Sequence, residues 1–328
     1  MDCTSGDGDE LAPKKIPPLV DAEWLDENRK SVVILHATYD PTFDLKFREY
    51  RAQWFLDFEK LYKRFESAEY QEGHIAGAVH FSINCCVLPG RNEKHYLYNN
   101  AQIAPYIQKL AIFPDDHIVV YSGGPGNSMM YAAKARWLLR IYGFNKVSVL
   151  NGGIEQWKRL GKELTTEVIP LAKSKYFPPM VEDLHVPFTE LLIGNSDETP
   201  MLFDIPNMNF IDCRAEAQFN GTCEPRQFND HVVGFFIQHS KNVPYLKVLG
   251  WNGLMATKKQ IDEAMREVEY MRGLKTVLFC FDGLQCHLVG LAMEHAGYPA
   301  PPIFNGGLYE VQSRRPTMIN GDVNMSLW

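Results

Sequence analysis

One cysteine stands where the chain could activate a sulfur nucleophile. The β-prone run 276–279 ends at Cys280, a loop containing Gly283 follows, and residues 284–295 have helical character. In a strand–loop–helix unit, the loop N–H groups and the positive end of the helix dipole converge on one point. A thiolate at that point is stabilised, because a helix N-terminus lowers the pKa of a cysteine. Cys280 is therefore the candidate nucleophile, the alternative being a cysteine that fills space at the end of a core strand.

The cysteines and histidines, which are the residue types that most often bind metals, are scattered along the chain. The seven cysteines are odd in number and contain no CxxC pair, which argues against a disulfide framework and against a zinc site. The histidines considered as ligands (His74, His80, His231, His239 and His287) have no metal-ligand spacing and are interpreted as surface or core residues. We therefore expect neither a metal nor a cofactor.

The amino-acid composition limits the classes of function that the protein can have. The 328 residues are 45% hydrophobic and 22% charged, as in globular proteins, and the length suggests two domains. A net charge of −7 disfavours binding to nucleic acid or to an anionic membrane surface. The sequence has no apolar run near the ~20 residues that span a bilayer. The first ten residues are acidic and polar, unlike a signal peptide or a mitochondrial presequence, so we expect a cytoplasmic location.

The elements that must position Cys280 alternate between strand and helix. In the first half, apolar and β-branched runs at 31–37, 117–121 and 146–150 predict buried strands, and 128–143 and 154–160 predict helices. Such alternation predicts an α/β fold with a mostly parallel sheet that helices cover on both faces.

The pattern then repeats. Residues 209–214 match the strand at 33–37, residues 275–280 match 116–121, and the Asn-Gly-Gly turn at 305–307 matches the one at 151–153. Matching turns within matching strand–helix contexts indicate two copies of one α/β unit. We expect a disordered tail at 1–17, a first unit at 18–165, a linker at 166–187 and a second unit at 188–320.

Several local stretches together carry a family resemblance. They are 72–78 (EGHIAGA), the segments 212–215, 219–222 and 224–226, and the six residues 280–285. As a set they resemble the tandem-domain rhodanese family of thiosulfate and 3-mercaptopyruvate sulfurtransferases, over about residues 19–316. The resemblance implies two rhodanese-like domains, each a mostly parallel sheet flanked by helices, with 280–285 as the active loop.

The resemblance also implies a mechanism. The Cys280 thiolate would take the outer sulfur of a small donor, thiosulfate or a mercaptopyruvate-like compound, and pass it from a persulfide to cyanide or a thiol. The first domain has no cysteine at the matching strand end and would be structural, with Cys85 and Cys86 as packing residues. The implied substrate-binding residues are Arg226, Gln218, Phe281, Asp282, Gly283, Leu284 and Gln285. The oligomeric state stays open.

Departures from the family pattern leave alternatives. Phe281 and Asp282 replace the basic or small residues of the family, and Gln218 replaces an arginine. A carboxylate raises the pKa of a nearby thiol and repels a dianionic donor, which favours a larger or less charged donor.

A phosphatase would need a longer loop closed by an arginine, and at that place this chain has Cys286. The rival interpretation is a weak or inactive rhodanese-fold protein used for binding or redox sensing. Cys286 itself would either pack the helix or resolve an oxidised or persulfidated Cys280 into a disulfide.

Overall fold

The computed structural model describes residues 16–193, 200–222 and 235–321. The predicted anion contact Arg226, the cysteines Cys3 and Cys223, and the tail up to residue 15 lie outside these ranges. Within them, no helix has both the length and the apolar character needed to cross a membrane.

The first half folds around a parallel sheet of five strands. The strands of this half are β1 (Leu19–Val20), β2 (Val33–Thr38), β3 (Ala78–Ser82), β4 (Val87–Leu88), β5 (Tyr96–Leu97), β6 (Ile118–Ser122) and β7 (Val147–Leu150). The sheet order is β1-β7-β6-β2-β3, with every neighbour parallel, and β4 and β5 form a separate antiparallel pair. All five residues of β6 are buried, as a strand covered on both faces requires.

Nine helices are described in this half. They are α1 (Ala22–Asn28), α2 (Phe47–Gln53), α3 (Phe58–Arg64), α4 (Ala68–Glu72), α5 (Ile83–Cys86), α6 (Asn100–Lys109), α7 (Pro125–Ser128), α8 (Met130–Ile141) and α9 (Gly153–Arg159). The helix predicted over 128–143 begins only at Met130. Asn127 and Ser128 adopt left-handed backbone conformations, with φ of +52° and +59°, and these separate α7 from α8.

The second half repeats the sheet in reduced form. Its described elements are α10 (Phe188–Ile193), β8 (Asn209–Asp212), α11 (Glu216–Asn220), β9 (Phe235–Ile237), β10 (Lys241–Asn242), α12 (Lys258–Glu267), β11 (Thr276–Phe279), α13 (Gln285–His295), α14 (Gly307–Arg314) and β12 (Ile319–Gly321). Strands β10, β8 and β11 are parallel in that order, and parallel bridges from Leu278 to Ile303 and from Ile303 to His185 extend the row. This order corresponds to β3-β2-β6-β7-β1, so the predicted repeat and the α/β fold class are confirmed.

The two halves share a buried core. Helix α8 packs against α13, its counterpart in the repeat, and one apolar cluster includes side chains from both, such as Leu138 and Leu288. The segment between the halves is bonded to each of them, through Ser174 N–H to the Gln108 carbonyl and Val186 N–H to the Ile303 carbonyl. The limits 18–165 and 188–320 remain our proposed domain boundaries.

Candidate active site

Cys280 follows β11 directly, and the loop curls around its sulfur. The backbone N–H groups of Gly283 and Leu284 donate to Cys280 Sγ at 3.2 and 3.3 Å. Gly283 makes the curl possible, because its φ is +80° and a Cβ there would lie 2.5 Å from the Asn305 carbonyl oxygen. Helix α13 begins two residues later, at Gln285, so the sulfur lies at the N-terminus of an eleven-residue helix.

The Asn-Gly-Gly turn holds the other side of the loop. At the start of α14, Leu308 N–H donates to the Cys280 carbonyl at 2.9 Å and Tyr309 N–H to the Phe281 carbonyl at 3.0 Å. Gly307 has a φ of +57°, and a Cβ there would come within 2.5 Å of both carbonyl oxygens. The turn that marks the repeat in the sequence is therefore the element on which the loop rests.

The surroundings of Cys280 favour its thiolate. Burial acts to raise the pKa of this fully buried thiol, as does the Asp282 carboxylate. The Cys286 thiol and the backbone N–H groups of Cys286 and Leu284 outweigh both, so the pKa of Cys280 lies below its ordinary value. Cys286 Sγ is 3.6 Å from Cys280 Sγ. Burial and the neighbouring Cys280 raise the pKa of Cys286 well above its ordinary value, so Cys286 is the thiol that donates.

Predicted residues meet at the far end of the loop. The Gln285 side chain donates to Gln218 Oε1 at 3.0 Å, and Ala215 N–H donates to the same oxygen at 3.2 Å. Gln218 is buried and links the loop to α11. Arg214 forms a buried ion pair with Asp212 at 2.7 Å. The structure therefore brings Gln218, Gln285, Leu284 and Gly283 together around Cys280.

His95, from the first half, contacts the loop backbone, and the sequence argument did not find it. Its Nδ1–H donates to the Asp282 carbonyl at 2.7 Å, and its Nε2 accepts from the Tyr39 hydroxyl at 2.8 Å. Burial lowers the pKa of His95 to about 3, so the ring is neutral, and the Asp282 carbonyl, which can only accept, fixes the tautomer with the proton on Nδ1. The Asp282 carbonyl belongs to the same peptide unit as the Gly283 N–H. His95 thus orients the group that donates to the nucleophile.

Lys134 on α8 is a second residue that the sequence argument missed. It is fully buried, donates to Asn305 Oδ1, and lies 4.8 Å from the Trp137 ring centroid. Asn305 in turn touches Gly283. Burial lowers the pKa of Lys134 to about 8, against the opposing effect of Cys286, Cys280 and Asp282. A lysine within the apolar stripe of α8 was the available signal, because an unpaired buried cation is costly.

A cleft of about 980 Å³ adjoins the loop. Phe281 and Tyr309 of the second half line it, together with His95 and aromatic residues of the first half such as Phe43 and Phe47. Lys94 Nζ is 5.8 Å from the Phe281 ring centroid and 5.6 Å from that of Tyr309. The cleft also carries both acidic and basic side chains, including Glu49, Glu93, Lys46 and Arg91. Phe281 lines this cleft, whereas the adjacent Cys280 is fully buried.

Comparison with known proteins shows similarity to one domain family and to sulfurtransferases. The model of the rhodanese-like domain matches residues 51–160. The chain is 27% identical to the 3-mercaptopyruvate sulfurtransferase of Rattus norvegicus, over 91% of this chain and 93% of that one. It is 27% identical to the thiosulfate sulfurtransferase of Bos taurus, over 76% and 80%.

A solved structure shows the same fold. SseA from Escherichia coli, described as a 3-mercaptopyruvate sulfotransferase, superimposes with a TM-score of 0.68 at 23% identity. The match covers 89% of this chain and 98% of that one. At this identity the likeness establishes the fold, and it extends over both halves.

Proposed function

We propose that the chain is a sulfurtransferase of the rhodanese family that moves a sulfane sulfur through a persulfide on Cys280. The observation that carries this proposal is the pair of N–H bonds from Gly283 and Leu284 to Cys280 Sγ. Two such donors stabilise a thiolate before reaction and an anionic sulfur after it.

The reaction has two transfers. In the first, the Cys280 thiolate attacks the outer sulfur of the donor, and the remainder of the donor leaves as sulfite from thiosulfate or as pyruvate from mercaptopyruvate. The negative charge then lies on the terminal sulfur of the persulfide, within reach of the loop N–H groups. In the second, cyanide or a thiol acceptor attacks that terminal sulfur and restores the Cys280 thiolate.

The charges near the loop bear on the choice of donor. The Asp282 carboxylate acts against the negative charge of Cys280, and Gln218 contributes a neutral amide that is occupied by Gln285. The adjoining cleft is rich in aromatic rings and carries charges of both signs. We therefore propose a donor larger or less charged than thiosulfate, with Arg226 as its anion contact. A cytoplasmic location remains a prediction.

Mass spectrometry after incubation with each donor tests the proposed function. In samples quenched soon after mixing, the reduced parent protein is expected to carry one added sulfur atom on the peptide that contains Cys280. Cys280→Ser should abolish both this gain and sulfur transfer to cyanide, because no other thiol in the described ranges has a lowered pKa.

Cys85→Ser and Cys86→Ser serve as controls. Burial raises the pKa of Cys85 to about 12 and that of Cys86 well above its ordinary value, so both thiols stay protonated. Both variants should transfer sulfur as the parent does. If Cys280→Ser kept the parent's activity, the nucleophile would be wrongly assigned. If no early sample of the parent carried added sulfur from either donor, the proposed function would give way to a binding or redox-sensing role.

A further inference from the structure

A second sulfur, at the start of α13, forms no covalent bond in the proposed transfer. Cys286 Sγ lies 3.6 Å from Cys280 Sγ, and both side chains are fully buried. This separation is close to a van der Waals contact between sulfurs, so forming a bond of about 2.05 Å requires one sulfur to move by about 1.5 Å. A rotation about χ1 of either side chain supplies a movement of this size.

A proton acceptor lies on the other side of Cys286. Cys286 Sγ is 3.6 Å from His287 Nδ1, and the ring is buried against Trp137 at a centroid distance of 4.6 Å. His287 Nε2 has no hydrogen-bond partner among the residues that the structure describes. Burial lowers the pKa of His287 well below its ordinary value, so the ring is neutral. In the tautomer that carries its proton on Nε2, Nδ1 is able to accept the Cys286 proton.

We propose that Cys286 resolves the Cys280 persulfide internally and releases its outer sulfur as hydrosulfide. This inference rests on the proposed function and adds an activity that needs no acceptor molecule. In the resting protein the Cys286 thiol donates to the Cys280 thiolate. Once Cys280 carries a second sulfur, its own Sγ is uncharged, and Cys286 can turn its proton toward His287.

The step balances without an external oxidant. Cys286 Sγ attacks Cys280 Sγ, the bond between Cys280 Sγ and the outer sulfur breaks, and the outer sulfur leaves with the electron pair. The Cys286 proton passes by way of His287 Nδ1 to that sulfur, so a persulfide anion and a thiol become a disulfide and hydrosulfide. The outer sulfur is reduced, Cys286 Sγ is oxidised, and Cys280 Sγ exchanges one S–S bond for another. Two equivalents of a thiol then reduce the disulfide and reset the site.

A single-turnover experiment on the full chain tests the inference. The reduced protein is freed of small thiols under anaerobic conditions and then loaded with thiosulfate, with 3-mercaptopyruvate or with inorganic polysulfide. Released sulfide and the protein mass are followed over time. In the parent we expect about one equivalent of sulfide per persulfide formed. Peptide mapping should then show Cys280 joined to Cys286, two hydrogen atoms lighter than the reduced form.

Four variants separate the roles. Cys286→Ala and the more conservative Cys286→Ser should hold their persulfide until a thiol is added. Cys213→Ala, which also removes a fully buried thiol of the same half, should release sulfide as the parent does. His287→Phe should slow release by about a hundredfold without changing its final amount, since a positioned base contributes 10²–10⁴. Release is expressed per loaded persulfide, because losing Cys286 also affects loading.

The possible outcomes distinguish a failure of this inference from a failure of the proposed function. Loading by polysulfide alone, followed by release that depends on Cys286, would refute the proposed donors and leave the internal resolution standing. A parent protein that keeps its persulfide, or a Cys286 variant that releases sulfide at the parent's rate, overturns the inference. Failure of polysulfide to load Cys280 overturns it as well.

Discussion

At the scale of single residues, the charge on Cys280 is a balance between groups in its own loop. Burial and Asp282 disfavour the thiolate, while Cys286 and the loop N–H groups favour it. Asp282 is the one member of this balance that can be neutralised with little change of shape.

Asp282→Asn should therefore lower the pKa of Cys280. With one negative charge removed, the thiolate fraction at pH 7 rises, and we expect alkylation of Cys280 by iodoacetamide to accelerate about threefold to tenfold. The measurement is the pH profile of the alkylation rate, which should move to lower pH. Asp282→Glu keeps the charge and should leave the profile near that of the parent. An unchanged profile in Asp282→Asn would show that this carboxylate does not act on the sulfur.

The sequence could predict Cys280 and its N–H donors, because strand, loop and helix follow one another within about a dozen residues. It could not predict His95, which bonds to the loop from 187 residues away, at a position without periodicity. Lys134 was visible as a charge within an apolar stripe, but its partner Asn305 lies 171 residues further on. Contacts between residues so far apart in the sequence depend on how the two halves dock. No local sequence pattern encodes that docking.

At the scale of elements, the loop is held between α14 and the segment of the first half that contains His95. The α14 N-terminus binds the carbonyls of Cys280 and Phe281, and His95 binds that of Asp282. Three successive carbonyls are thus fixed outward, which leaves the following N–H groups directed at the sulfur. The Asn-Gly-Gly turn was found from the sequence as a repeat marker, while its contact with the loop emerged only from the fold.

Replacing His95 by Phe should loosen the 282–283 peptide while still filling the buried space. Losing one hydrogen bond costs about 1–1.5 kcal/mol, so persulfide formation should slow about tenfold. Quenched single-turnover mass spectrometry would follow the rate. Tyr39→Phe is the matched control, because it keeps the Nδ1–H bond and should slow the step less than threefold. Equal rates in the two variants would contradict a positioning role for His95.

At the scale of the whole molecule, the two halves are joined by a partly buried ion cluster between α8 and α13. Arg136 and Arg140 both donate to Glu294 at 2.8 Å. Burial opposes the charge on Glu294, but the two guanidinium groups outweigh it and hold its pKa below the ordinary value. The carboxylate thus contributes stability above its unfolded pKa, and that contribution is lost as the pH falls through the folded pKa.

Glu294→Gln should destabilise the chain by about 2 kcal/mol at pH 7, since two guanidinium groups lose their counter-charge in a partly buried site. The parent and the variant should converge in acid, where Glu294 is protonated in both the folded and the unfolded state. Urea denaturation at a series of pH values measures this. Glu155→Gln removes an exposed carboxylate and should change stability by less than about 0.5 kcal/mol. A difference that persisted unchanged in acid would mean that packing, not charge, is lost.

The docking of the halves also has a consequence for the order in which the protein is made. His95 and Lys134 leave the ribosome long before Cys280, and domains generally fold as they emerge, the N-terminal one first. The first half can therefore be folded and waiting when the nucleophile is translated. Until the second half closes against it, the new thiol lacks the ordered loop that stabilises its thiolate and behaves as an ordinary cysteine. The nascent chain thus carries no strongly reactive sulfur during the period when the thiols of the second half are still exposed.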